Sequence, residues 1–419
     1  MLNVDNTFLK RHYDRTKLQL QHVSCVTKMV SNHIPNDLAF FIISKLPLKS
    51  LKRFSCAQKS WLLILENPNF LNMYTNHFIS NSEDSLYEED DVSCFILLKT
   101  LPYCPYRPVM YMLSGKSFEN KVKLDWPSPF HENDQSVFIL GPIVNGIVCL
   151  CKGRLSVAVL WNPATDEFKV LPPSPNECTI LYEFESFNFI GFGYDNIRDD
   201  YSVIRYVSYR LDLPDIECDM ESMRYAVSRE DIWEIYNLRS NTWRKLDLDM
   251  PQGYWNYSGA FMHINGVCHW CHQGRDLNYR LLVSFDLSNE VFCTTPFPSD
   301  MNNTLEFVVV MTHLTVINQS IALISNYLNT TTFHISILGE VGVKESWTKL
   351  FIIGPLSYIE HPIGEGKDGD LFFRRKDDEL VLFNLKTKKF KELGVKGDEH
   401  SCGIVLYKKN LLPIGGIND

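Results

Sequence analysis

An α+β multi-domain chain is what this 419-residue sequence predicts: a small N-terminal helical module, then an all-β propeller of about six or seven blades. Three observations lead there. Apolar residues fall three and four apart between Pro35 and Trp61. From about residue 92 that spacing gives way to short runs of Val, Ile, Phe, Tyr and Trp, broken by Gly, Pro, Asn and Asp. Within those runs one hairpin phrase recurs.

The helical module starts at Pro35, whose fixed φ and missing N–H cost nothing in a first turn, with Asn36 or Asp37 accepting from the first open amides. Leu38, Phe41, Ile42 and Leu46 then share one face, and Phe40 and Ile43 spill onto its flanks. Pro47 stops this helix. Ser50 is the N-cap of the next, and Leu51, Phe54 and Trp61 carry the apolar pattern down to Pro68. A module of fewer than about 50 residues cannot bury that much apolar surface by itself, so part of it should face a partner or a neighbouring domain.

Pro35, Asp37-Leu38, Ile43, Leu46-Pro47, Lys49-Ser50-Leu51, Arg53-Phe54, Cys56 and Lys59-Ser60-Trp61, followed by Pro68 and Phe70, resemble the F-box of plant F-box proteins in order. Ile34 and Gln58 depart from the commoner residues without touching the apolar pattern. The resemblance implies a three-helix module that docks on a Skp-type adaptor of a cullin-based ubiquitin ligase. Pro35, Leu38, Ile43, Leu46, Pro47 and Leu51 would form or support the adaptor-facing surface, with Phe54 and Trp61 in the module's core. The bland alternative is a helical hairpin packed on its own domain.

Ser80–Asp91 is polar and acidic, too poor in apolar residues to order itself, and reads as a linker. The expected division is therefore 1–30 N-terminal extension, 31–75 F-box, 76–91 acidic linker, 92–410 β domain and 411–419 C-terminal tail.

The hairpin phrase is an apolar strand ending in an aromatic, then Asn or Asp, a turn, and a second aromatic leading into the next strand. Its copies are Val159–Leu171, Glu234–Leu246, Val283–Phe292 and Leu382–Leu393, and a degraded copy ends at Ser346–Leu350. Asn or Asp can cap such a turn with its own side chain. The second aromatics, Phe168, Trp243, Phe292, Trp347 and Phe390, are 75, 49, 55 and 43 residues apart. A second phrase, a turn followed by a strand, precedes most copies: Asn145–Leu150, Asn265–Trp270, Asn318–Leu323 and Asp368–Phe373. About four strands per unit at this period are the pattern of propeller blades, which cannot bury their faces singly and close into a ring. The 75-residue interval is expected to hide an extra strand pair around Gly191–Asp195 and Asp200–Ile204, and the third turn phrase departs from the others by Ser320 in place of Gly.

Asn145-Gly146, Trp161-Asn162-Pro163, Gly191–Asp195, Asp200-Tyr201, Asn265-Gly266 with His269-Trp270, and Phe285-Asp286 resemble the plant F-box-associated interaction domain, which is kelch-like in texture and occurs in S-locus F-box proteins. With the F-box, the resemblance covers about residues 34–395. It implies that the β domain captures a target protein.

Composition narrows the alternatives. A net charge of −9, a pI near 5.8 and no visible basic stripe argue against nucleic acid or an anionic membrane as main partner. No apolar stretch approaches a membrane span, and residues 1–33 lack the apolar core of a secretory signal. The expected location is cytoplasmic and/or nuclear. Twelve scattered cysteines fit reduced core thiols better than a disulfide framework.

Two motifs suggest chemistry. Cys268-His269-Trp270-Cys271-His272 has the spacing of haem attachment, but strand alternation sends Cys268 and Trp270 to one face and His269 and Cys271 to the other. Gly364-Glu365-Gly366-Lys367-Asp368-Gly369 matches a dinucleotide fingerprint in spacing, yet a strand rather than a helix follows. The expectation is thus a non-catalytic substrate-recognition subunit of a ubiquitin ligase, with no cofactor and no metal. Its partners would be a Skp-type adaptor, a cullin ligase through it, and an unidentified target protein. A propeller enzyme or small-molecule receptor, with the helical segment as attachment only, is the alternative.

Overall fold

The computed structural model describes residues 94–408 and Ile414, apart from 102–106, 116–117, 119, 132–133, 135–136, 153–156, 176–183, 211–228, 249–252, 256–260, 275–279, 299–308, 328–329, 367–368 and 398–401. Two units divide the chain, Met1–Phe78 and Ile79–Asp419. Every described residue belongs to the second. The three-helix module, with Pro35, Leu38, Ile43, Leu46, Pro47 and Leu51, and the acidic run therefore lie outside the described residues.

The described residues form six antiparallel sheets. The first holds β1 (Cys94–Leu101), β2 (Arg107–Ser114) and β3 (Asn120–Leu124). The second runs β4 (Val137–Ile139), β5 (Val148–Lys152), β6 (Ala158–Asn162), β7 (Glu167–Val170), and the third β8 (Phe184–Asp195), β9 (Asp200–Arg210), β10 (Arg229–Asn237), β11 (Thr242–Leu246). In the fourth, β12 (Gly253–Trp255) and β13 (Met262–Ile264) both pair with β14 (Val267–Gly274), followed by β15 (Arg280–Asp286) and β16 (Val291–Pro296). The fifth is β17 (Val309–Ile317), β18 (Ser320–Tyr327), β19 (Thr332–Leu338), β20 (Trp347–Ile353), and the sixth β21 (Ile359–Glu365), β22 (Leu371–Arg375), β23 (Glu379–Asn384), β24 (Lys389–Lys396). The last strand, β25 (Cys402–Tyr407), returns to the first sheet and pairs along β1, from Cys94 opposite Tyr407 to Lys99 opposite Cys402.

Alternation along each strand builds the core between sheets rather than inside one. Val148, Leu150, Val159 and Trp161 pack with Ile96 and Met110 of the first sheet. Their neighbours Cys149, Cys151 and Leu160 pack with Phe189, Phe192 and Tyr236 of the third. Equivalent interleaves join the third sheet to the fourth, the fourth to the fifth and the sixth to the first. Phe333 meets Phe373 edge-on between the fifth and the sixth, ring centroids 5.2 Å apart. All six junctions are filled, so the sheets close into a β-propeller. First strands touch one another on the inside: β8 with β13 and β14, β13 with β17, β17 with β21, and β21 with β25.

The recurring phrases are one backbone device. Four residues past each Asn or Asp the chain turns left-handed, at Asp166, Asn241, Glu290 and Lys388, with φ between 52° and 60°. Asn162, Asp286 and Asn384 cap their turns by accepting from the amides of Ala164, Ser288 and Thr387. Asn237 does not cap its turn in this way and donates instead to Ser202 across the sheet. The turn phrase is equally regular: Asn145-Gly146 and Asn265-Gly266 place both residues at positive φ. In the third copy Gln319, at φ 59°, holds the glycine station, so the departure is Gln319 and not Ser320.

Among the described residues, the interval from Phe168 to Trp243 holds no additional strand pair. Gly191–Asp195 and Asp200–Ile204 are the first hairpin of an ordinary four-stranded sheet, β8 with β9. Its strands are long, and 211–228 separates β9 from β10, which accounts for the extra length. Near the end of the chain, Ile414 is buried in the junction of the second and third sheets, its N–H donating to Glu167 at 3.0 Å.

Candidate functional site

Antiparallel order gives the ring two unlike faces. First-to-second and third-to-fourth strand turns fall on one face, and the recurring Asn and Asp turns of the sequence phrases are among them. The other connections among the described residues fall on the opposite face, among them 354–358 between β20 and β21 and 376–378 between β22 and β23. Connections that vary in length on a rigid scaffold are where a propeller chooses what it binds.

The short-turn face is wired from blade to blade. Asp195, 1 % exposed, accepts from the amides of Ile197 (2.8 Å) and Arg198 (3.1 Å) and, across the junction, from Ser288 Oγ at 2.7 Å. Burial opposes its ionisation, but these donors and the nearby Arg198 guanidinium outweigh burial and hold the carboxyl below its usual range. Arg198 in turn donates to Leu287 O and to Glu290, which also pairs with Arg244. Deeper in the third sheet Arg205 and Glu234, both fully buried, pair at 2.7 Å. Ser174 donates to Glu234 at 2.6 Å, and the guanidinium lies 4.1 Å from the Trp243 ring centre. A buried pair held by this many partners orients its neighbours.

A cavity of about 500 Å³ opens on the sixth sheet, lined by Arg375, Val381, Phe390 and Glu392 of its strands and by Tyr358 of the connection that leads into it. Arg375 reaches Glu392 at 2.8 Å and Asp377 at 2.7 Å, and half-exposed Tyr358 meets Phe390 edge-on. Of these residues, sequence reasoning had Phe390 as a repeat marker and Glu392 only as part of the same repeat copy. Tyr358 sits in a connection with no pattern of its own, so no local signal marks it. The ring also gathers Lys386, Lys388, Lys389 and Lys391 beside the first sheet, where Lys391 lies 5.6 Å from the centre of Phe118. These four lysines are a linear run, 386–391, which the expectation of no basic stripe passed over.

Both chemical motifs resolve into packing. Cys268 and Trp270 lie in the third-to-fourth junction and Cys271 in the fourth-to-fifth, as alternation requires. Burial pushes the Cys268 and Cys271 thiols up to about 12 and His269 down to about 3, and His269 Nδ1 pairs with Ser284 Oγ at 2.8 Å. Among the described residues no group of three or more His, Cys, Asp or Glu is placed to hold a metal ion, and no disulfide joins the cysteines. In the glycine-rich stretch a Cβ on Gly364 would stand 2.0 Å from Ile404 O of β25. That glycine is there for strand contact, not for a phosphate.

A six-sheet ring built on Asn and Asp turns invites comparison with known domains. The family described as "F-box associated beta propeller domain" matches residues 115–409. The chain belongs to that family. As a plant F-box protein with an F-box-associated propeller, it is 24% identical to F-box protein CPR1 of Arabidopsis thaliana over 398 residues, 90% of this chain and 88% of that protein. It is also 24% identical to F-box protein ETP2 of the same plant, over 85% of this chain and 84% of that one. Among solved structures, an oligogalacturonate lyase in complex with manganese aligns with a TM-score of 0.41 and 14% identity, covering 72% of this chain and 77% of the lyase. That likeness is too loose to bear on function.

Proposed function

We propose that this protein is the substrate-recognition subunit of a Skp/cullin/F-box ubiquitin ligase and is not itself a catalyst. One observation carries the reading: a stretch resembling an F-box, residues 34–70, precedes a domain of the F-box-associated propeller family in a single chain. The proposed division of labour follows the segments 31–75 for adaptor docking, 76–91 as linker and 92–410 for target capture. Pro35, Leu38, Ile43, Leu46, Pro47 and Leu51 would supply the adaptor surface. The mechanism is proximity: the ring holds a target, and the target's lysines meet the charged ubiquitin carrier at high effective concentration. A cytoplasmic or nuclear location suits such a role.

Capture of a Skp-type adaptor by the full chain tests this. Leu46→Asp combined with Leu51→Asp should lower capture at least about tenfold, because a carboxylate replaces an apolar anchor at the centre of an interface. Undiminished capture by the double variant, or none by the wild type, would overturn the reading.

A further inference from the structure

We infer that the sector formed by the sixth and first sheets is a docking surface for an acidic, Asp/Glu-rich segment of a partner protein. The inference deepens the receptor reading, on which it rests for its biological meaning.

The argument starts from four turns of one geometry. The stations after the capping Asn or Asp read Pro163-Ala164-Thr165-Asp166 in the second sheet, Leu238-Arg239-Ser240-Asn241 in the third and Leu287-Ser288-Asn289-Glu290 in the fourth. In the sixth they read Leu385-Lys386-Thr387-Lys388, continuing into Lys389 and Lys391. The fold itself does not ask for lysine there. Lys388 stands at φ 57°, where a long side chain is less comfortable than Asn or Gly and where the other copies carry Asp, Asn and Glu. All four lysines are exposed. Lys388 and Lys389 make no ion pair among the described residues, whereas every arginine of the wired third-to-fourth junction is matched by a carboxylate.

The ring extends this sector beyond one turn. Lys391 reaches Phe118, in the turn between β2 and β3, and the exposed lysines Lys121 and Lys123 follow on β3, the outer strand of the first sheet. Six lysines from positions 270 residues apart thus share one flank of a protein whose net charge is −9. A concentrated cationic sector on an anionic body attracts and orients an anionic partner while repelling wrong approaches elsewhere. The outer strands β3 and β24 lie at sheet edges, so an extended acidic segment would find backbone groups as well as ammonium groups. Polypeptide is favoured over nucleic acid because the protein as a whole carries a net charge of −9, which would repel a long polyanion beyond this one sector.

The test measures binding of a fluorescent peptide, about twelve residues with alternating Asp and Glu, to the full chain by anisotropy at about 50 and about 200 mM salt. Its controls are the Asn/Gln version of the peptide and a single-stranded oligonucleotide. The acidic peptide should bind, weaken with salt and lose at least about tenfold in affinity in Lys386→Glu/Lys388→Glu/Lys389→Glu, while the corresponding triple arginine variant stays within about threefold. Melting of the variants and their capture of the Skp-type adaptor should be unchanged, which separates failure here from failure of the receptor reading. Equal binding of the amide peptide, tighter binding of the oligonucleotide, or indifference to charge reversal would each overturn the inference. So would acidic-peptide binding seen only after Glu83, Asp84, Glu88, Glu89, Asp90 and Asp91 are changed to amides, since the chain's own acidic run would then be the occupant.

Discussion

The inner and outer rims of the ring are joined by opposite means. On the inside, blades meet where a side chain is missing. A Cβ on Gly364 would stand 2.0 Å from Ile404 O, and one on Gly193 would stand 2.4 Å from the His263 ring. On the outside they meet through the largest side chain available: Trp243 Nε1 donates to Pro172 O at 2.7 Å and Trp347 Nε1 to Pro296 O at 3.0 Å, each spanning to the preceding blade. Radiating sheets converge at the centre and splay at the rim, so one repeat must shrink its inner residues and enlarge its outer ones. The difference teaches that the aromatic marker of the repeat is a spacer for a widening gap. Where the marker is Phe168, Phe292 or Phe390 it fills without tethering, and Phe168 is left 41 % exposed.

The largest effect is expected at the inner rim. Gly364→Ala drives a methyl into backbone and should cost about 3 kcal/mol or more in urea unfolding. Gly403→Ala on the adjacent strand β25, where a Cβ meets nothing within 4 Å, should shift stability by less than about 0.5 kcal/mol. Equal costs at the two glycines would break the convergence argument. At the outer rim Trp243→Phe keeps the filler but removes the tether to Pro172, with an expected loss of about 1 kcal/mol in the same measurement. A loss as large as that of Gly364→Ala would mean that the two rims are not distinct.

The smallest effect concerns the polar joint of β17 and β21. Glu365 accepts from Thr315 Oγ1 at 2.9 Å and from the Val316 amide at 2.8 Å, yet burial outweighs these donors and raises its carboxyl above the usual range. A raised folded value means that its contribution is fully present below the ordinary 4.5 and is lost as pH climbs through the raised value, because the folded chain must then bury a charge. Glu365→Gln, whose carbonyl can accept from the same donors, should therefore melt higher relative to the wild type at pH about 7 than at pH about 4. A gap that is flat or shrinks as pH rises would remove the polar joint from the comparison.

What the sequence made legible was whatever local chemistry decides. Asn162, Asp286 and Asn384 announce their turns because the cap lies two or three residues away, and Cys268 and Cys271 part company because alternation needs no tertiary knowledge. Gln319 was less transparent, since a left-handed residue other than glycine or asparagine leaves no compositional mark. Gly364 matched a nucleotide fingerprint in spacing only and read as a loop, whereas it lies in β21, because the strand that excludes its side chain comes from forty residues further on. The lysine run 386–391 was there to be seen along the chain, but its continuation onto Lys121 and Lys123 exists only once the sixth and first sheets are side by side, and the cavity needs the strands of one sheet brought together.

The pairing of β25 with β1 has a consequence for how the protein is made. Some three hundred residues separate Cys94 from Tyr407, so a ribosome must have delivered β25 before the circle can lock. Until then β1 offers a bare strand edge to anything nearby. A product that stops short of β25 would carry that edge permanently, which makes delivery of this one strand the checkpoint for closing the ring.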